Sequence, residues 1–131
     1  MAERIFSPGF RLSILDIAVL VLGGAASAYS VSIDVWFGIA IAFVVLHFLL
    51  FCNVLRMSRP LELIWAGIFA SLAVAAMSSG VLGWPVVFAA STFVTIVVVV
   101  IETRKPSYHG AGWRKLNPRL PEWWQANSSS I

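Results

Sequence analysis

The sequence predicts an all-α integral membrane protein: an up-down bundle of four transmembrane helices with a short non-globular cytoplasmic C-terminal tail. Three observations carry this. Of the 131 residues, 60% are hydrophobic and 11% are charged, and mean hydropathy is +0.89. Soluble domains carry about 25% charged residues, so a water-facing globule of this length would lack polar residues to coat it. Four apolar runs each approach the roughly 20 residues that cross a hydrocarbon core about 30 Å thick. Finally, all nine Lys and Arg fall in three places: Arg4 and Arg11; Arg56 and Arg59; and Arg104, Lys105, Arg114, Lys115 and Arg119.

The expected organisation is an N-terminal segment over residues 1–11, a bundle over 12–102, and a tail over 103–131. Spans are expected at 12–32, 35–55, 61–77 and 84–101. The connections "SID", "RMSRP" and "SSGVLGWP" are short, which favours antiparallel neighbours. With that topology every basic residue lies on one side. The opposite side carries Asp34 and no Lys or Arg. The positive-inside rule then places both termini in the cytoplasm, and a multi-pass protein of the cytoplasmic (inner) membrane is expected. The start of the chain also resembles a secretory signal, with "AASA" before Tyr29 as a small-residue cleavage pattern. Asp16 interrupts the apolar run such a signal needs, so four uncleaved spans are expected.

Span one contains "GGAASA", where Gly23 with Ser27 and Gly24 with Ala28 form two small-xxx-small pairs. Gly38 with Ala42 repeats the pattern in span two, as do Ala66 with Ala70 and Gly67 with Ser71 in span three. Lipid tails are as apolar as leucine, so helices associate largely by close approach over small residues. These pairs are expected to pack the bundle or to dock another protein. Asp16 lies about 7–8 Å along the helix from Arg11, inside the hydrocarbon edge. It is expected either to pair with Arg11, Arg56 or Arg59 through snorkelling side chains, or to carry protons. Glu62, following Pro60, suits the positive end of the third helix.

Span two admits His47, Cys52 and Asn53 among apolar residues. At 100° per residue, Cys52 points about 140° and Asn53 about 240° away from His47. The three therefore do not converge on one metal, and no other span contains a histidine. Three roles stand for His47, about 13–14 Å from the basic rim. One is a hydrogen bond to Ser91, Thr92 or Thr95 of span four. Another is a proton-relay step coupled to Asp16. The third is a single axial ligand to a (bacterio)chlorophyll or haem. In that role His47 resembles the lone histidine of light-harvesting polypeptides, which usually has a small residue four positions before it; here that position is Phe43. Cys52 reads as a small buried hydrophobe and Asn53 as a helix-to-helix hydrogen bond near the rim. The piece "NVLRMSRPLELIW" resembles part of the small membrane subunit of tripartite carboxylate transporters, a four-span accessory protein. In that family the piece follows the first span, and here it follows the second.

The tail combines prolines and glycines with five basic residues and Trp113, Trp123 and Trp124. It is too short for a core of its own. The tryptophans suit a headgroup interface or a protein groove, and Arg114, Lys115 and Arg119 suit anionic lipid headgroups. "PEWWQAN" is expected to form a single helical turn started by Pro121. No nucleic-acid module accompanies the charges, and no nucleophile–base pair, phosphate loop or ligand cluster is visible. The expectation is a non-catalytic accessory or assembly subunit of a larger membrane complex, energy-transducing complexes included, which docks other integral membrane subunits through the small-residue seams and the Trp-rich tail. A small proton- or ion-coupled transporter using Asp16 and His47 is the alternative class, and a pigment- or haem-bearing subunit is the third.

Overall fold

A computed structural model describes residues 6–80 and 82–128. Arg4 and the terminal residues 129–131 lie outside the described residues. The chain is all-helical: α1 (Ile14–Val31), α2 (Val35–Leu49) continued by a π-helical segment (Leu50–Val54), α3 (Arg59–Ser79), α4 (Trp84–Thr103), α5 (Trp113–Leu116) and α6 (Leu120–Ser128). Four stretches are long and apolar enough to cross a membrane: α1, α2 with its π segment, α3 and α4. Their outer surface is apolar, with Ile14 86%, Leu15 77%, Leu22 70% and Phe93 67% exposed. A soluble monomer rarely exposes apolar patches beyond a few hundred Å².

Local chemistry explains where the helices begin and end. Ser13 opens α1 with a capping box: its Oγ accepts from the Asp16 N–H, and the Asp16 carboxylate accepts from the Ser13 N–H at 2.7 Å. Asp34 opens α2 by accepting from the N–H groups of Trp36 and Phe37. Pro60 and Pro85 stand in the first turns of α3 and α4, where the missing N–H is no loss.

Span two is not the regular helix to Leu55 expected from hydropathy. The Leu55 N–H reaches back to Leu50 O at 2.8 Å, and the Met57 N–H to Phe51 O at 2.7 Å. The helix then stops, and Arg56 takes a positive φ of 48°. The last carbonyls of any helix lack intrahelical partners. Here distant chain supplies them: Arg11 N–H donates to Asn53 O (3.1 Å) and Ala111 N–H to Val54 O (2.6 Å). Burial, with Arg11 nearby, pulls the Arg56 guanidinium below its ordinary value.

The helices pack in two ways. α1 lies against α2 through small residues. Gly38 is buried, and a Cβ there would sit 2.7 Å from Val31 N and 2.9 Å from Ser27 O, so only glycine allows this approach. Ser27 Oγ donates to Gly38 O at 2.7 Å, and Gly23 faces the Val45 side chain. By contrast α2, α3 and α4 meet through large rings. Phe43, Phe51, Trp65 and Phe69 form a continuous cluster, with Phe88 of α4 on Phe43 at 5.0 Å. Val87 and Val98 of α4 are fully or nearly fully buried behind it.

The tail corrects an expectation. Instead of a non-globular segment with a single turn, it folds onto the end of the bundle where α2 stops. Tyr108 and Leu120 are 0% exposed. Tyr108 Oη donates to Ala111 O at 2.6 Å, and Asn117 Nδ2 donates to the carbonyls of Pro106 (2.8 Å) and Tyr108 (3.0 Å). Gly110 presses on the Leu55 backbone so closely that a Cβ would lie 2.6 Å from the Leu55 carbonyl carbon. Gly9 N–H donates to His109 O at 2.7 Å, which ties the N-terminal segment to the tail. The segment is too short for a core of its own but completes one that the bundle end begins. Burial, then the Glu102 carboxylate, pushes the Tyr108 phenol up.

Candidate functional site

The buried polar centre of the chain is built around His47. Its Nδ1 lies 2.8 Å from Phe43 O, one turn earlier, and its Nε2 lies 3.0 Å from Thr95 Oγ1 of α4. Trp65 Nε1 donates to the same Thr95 oxygen at 2.8 Å and to Ser91 O at 3.2 Å. Thr95 Oγ1 also lies 2.8 Å from Ser91 O. A carbonyl only accepts, so the contact with Phe43 O assigns the proton to Nδ1. In a neutral ring Nε2 then accepts, and the single hydroxyl proton of Thr95 points to it. Ser91 O remains satisfied by Trp65. In a charged ring Nε2 donates, and the Thr95 proton turns to Ser91 O. The same heavy-atom positions serve both states.

Aromatic rings pack against the imidazole as well. Trp65 stacks on it at 4.6 Å and 15°, Phe43 lies at 4.2 Å, and Phe51 meets it edge-on at 5.6 Å. An axial bond to a haem iron or a chlorophyll magnesium needs one free ring nitrogen and an open approach. In this arrangement both nitrogens are engaged within the chain and Trp65 covers one ring face. The partner of His47 is one of those the sequence offered. Trp65 and the carbonyl of Ser91 were not foreseen, because nothing in the pattern of α3 distinguishes Trp65 from an interfacial tryptophan.

The other polar residues of span two point away from His47, as the helical geometry requires: Asn53 goes to Asp16 and Cys52 to Glu62. Among the described residues Asp16 forms no ion pair with an arginine, which corrects the expected pairing with Arg11, Arg56 or Arg59. Its Oδ2 accepts from Ser13 N and Oγ, both at 2.7 Å, and from Asn53 Nδ2 at 2.8 Å. The carboxylate thus caps α1 and clamps it to the end of α2. Cys52 Sγ donates to Glu62 Oε1 at 3.2 Å. Asp16 and His47 share no hydrogen-bond partner among the described residues. Two buried polar atoms, Asn53 Oδ1 and Ser91 Oγ, have no partner among the described residues.

A second cluster was invisible in the sequence. Ser58 Oγ donates to Glu102 Oε2 at 3.1 Å, and Lys105 Nζ donates to Ser58 Oγ at 2.8 Å and pairs with Glu102 Oε2 at 3.1 Å. Ser with Lys at this distance has the residue types of a hydrolytic dyad. A general base must accept the serine proton, whereas Lys105 is an ammonium in an ion pair and donates to that serine. The serine proton goes to Glu102 instead. The triad acts as a tie between the start of α3 and the end of α4, and Glu102 is only 3% exposed. The Glu102 and Lys105 spacing suits an (i, i+3) pair on a helix; Ser58 was not legible.

The expected seams divide. Gly23, Ser27 and Gly38 are used between α1 and α2, with Ala42 half-buried nearby. Gly24, Ala28, Ala66, Gly67, Ala70 and Ser71 are exposed; a Cβ at Gly24 or Gly67 would meet nothing within 4 Å, and Ser71 bonds its own Gly67 carbonyl. The tail tryptophans are only half-buried, but two turn inward. Phe6 packs edge-on between Trp113 (5.9 Å) and Trp124 (5.5 Å). No ring contact involves Trp123 among the described residues. Arg114, whose guanidinium lies over Trp113 at 5.7 Å, is exposed together with Lys115 and Arg119. Comparison with known proteins gives no match: no family model, no curated protein and no solved structure is similar to this chain.

Proposed function

We propose that this protein is a non-catalytic accessory or assembly subunit of a larger complex in the cytoplasmic membrane, with four spans in up-down order and both termini cytoplasmic. Its helices dock other integral membrane subunits, and the exposed Arg114, Lys115 and Arg119 rest on anionic headgroups. The supporting observation is the contrast between two small-residue stripes of the same type. One, Gly23, Ser27 and Gly38, is consumed inside the chain. The other, Ala66, Gly67, Ala70 and Ser71, faces outward with open space at Gly67. A backbone approach of the kind α1 makes to α2 is therefore available to a second protein at α3. Orientation follows from the one-sided distribution of Lys and Arg.

In this reading the tail ties the chain's own ends together. Trp113 and Trp124 serve the chain's own N-terminal segment, so docking is assigned to the helices. Purification in mild detergent followed by mass spectrometry tests the proposal. Gly67→Leu fills the open stripe without touching the core and is expected to lower partner recovery by roughly tenfold, the equivalent of about 1.4 kcal/mol. Trp123→Ala is expected to leave recovery unchanged. Full recovery from Gly67→Leu would sink the assignment of the α3 stripe.

A further inference from the structure

One carboxylate has no basic residue anywhere near it along the chain. Between Arg11 and Arg56, and again between Arg59 and Arg104, there is no Lys or Arg. Asp34 stands at the turn between α1 and α2, and the 20 residues of Val35–Val54 put about 30 Å of helix between it and Arg56. Its Oδ1 accepts from Trp36 N–H at 2.9 Å and from Phe37 N–H at 3.4 Å. Oδ2 has no hydrogen-bond partner among the described residues. The positive end of the α2 dipole, about half a charge, is outweighed by the full carboxylate charge.

This carboxylate lines an open cavity of about 460 Å³ whose other walls are Phe37, Ala76, Met77 and Trp84. The cavity thus lies between the first hairpin and the facing ends of α3 and α4. Trp84 is held there by Phe88, at 5.9 Å and 25°, and Phe88 also faces Trp36 at 6.3 Å. The volume falls in the range of about 300–1,000 Å³ usual for small-molecule sites. Its lining selects by chemistry. An anion meets an uncompensated carboxylate. A hard metal ion needs about six or more oxygen ligands, and the side chains of this lining offer one carboxylate. A singly charged organic cation finds one carboxylate oxygen, two aromatic rings and a thioether, and aromatic faces attract such cations.

The geometry points to a binding site for an organic cation at Asp34, Phe37 and Trp84, the cationic group being a quaternary or protonated amine. The same chemistry is carried by a free amphipathic amine and by the headgroup of a choline lipid. The site does not depend on the docking role of α3.

The test uses the full chain in maltoside micelles with benzyltrimethylammonium as probe, followed by calorimetry and tryptophan fluorescence. Saturable binding is expected, and neopentylbenzene, the neutral isostere, is expected not to displace the probe. Asp34→Asn keeps a good N-cap, so the start of α2 survives while the charge is lost. Its affinity is expected to fall by about tenfold or more. Trp84→Ala is expected to weaken binding and Trp84→Phe to retain most of it. Adding phosphatidylcholine separates the sources: displacement of the probe assigns the site to a lipid headgroup, and undiminished binding assigns it to a free cation. Equal affinity in Asp34→Asn, displacement by the neutral isostere, or absence of saturable binding would each overturn the inference.

Discussion

The contact between α1 and α2 and the contact among α2, α3 and α4 use opposite means to the same end. In the first, side chains are removed so that backbones touch: Gly38 abuts Ser27 and Val31, and a hydroxyl-to-carbonyl bond seals the approach. In the second, side chains are enlarged until rings fill the gap, and a histidine, a threonine and an indole N–H satisfy one another inside it. The difference teaches what each interface tolerates. A close backbone contact fails when anything is added. A ring-filled contact fails when anything is removed, and its polar centre fails when one partner is lost.

Substitutions of opposite kind break the two contacts. The largest effect is expected from Trp65→Ala, which empties the middle of the ring cluster and removes the indole donor. Large-to-small changes of this kind cost about 3–5 kcal/mol, to be read from reversible denaturation in mixed micelles. Gly38→Ala comes next, at about 1–3 kcal/mol for overpacking, with separation of α1 from α2 reported by loss of a cysteine cross-link engineered across that seam. Should Gly38→Ala prove neutral, the backbone contact would not be what holds α1. The smallest effect belongs to Thr95→Val, which keeps the shape and deletes the hydroxyl. Hydrogen bonds between helices in membranes average about 0.6 kcal/mol, so a loss near 1 kcal/mol is expected because both His47 and Trp65 use this oxygen. Measured again in a Trp65→Ala background, the same change is expected to cost less. Equal costs in the two backgrounds would show that the two partners act independently.

The His47 centre was half legible. A histidine near mid-span and three hydroxyls in span four were readable as donors and acceptors seeking each other, and Thr95 is the one that met it. The stacking of Trp65 on the ring, with Phe43 tilted beside it, was not readable, because a ring in an apolar run has the same hydropathy whichever neighbour it faces. Asp16 shows the same limit more sharply. Its depth near a basic rim suggested an arginine, whereas its partners are its own cap residue Ser13 and the amide of Asn53, 37 positions away.

What the sequence by itself determined is local: four apolar stretches long enough to span a membrane, the place of Pro60 in the first turn of α3, and the segregation of all Lys and Arg into three places. These follow from sums over neighbouring residues and from preferences that act within one turn. Only the tertiary structure decided the rest. The π-helical end of α2 leaves the carbonyls of Asn53 and Val54 to be met by Arg11 and Ala111, donors drawn from both ends of the described chain. The tail, too short to hold a core alone, folds because Gly110 fits against Leu55 and because Phe6 offers a ring to Trp113 and Trp124. Each of these depends on a partner far off in the chain. Hydropathy and periodicity report how greasy a stretch is and which way it faces, and neither says which distant group will be there to meet it.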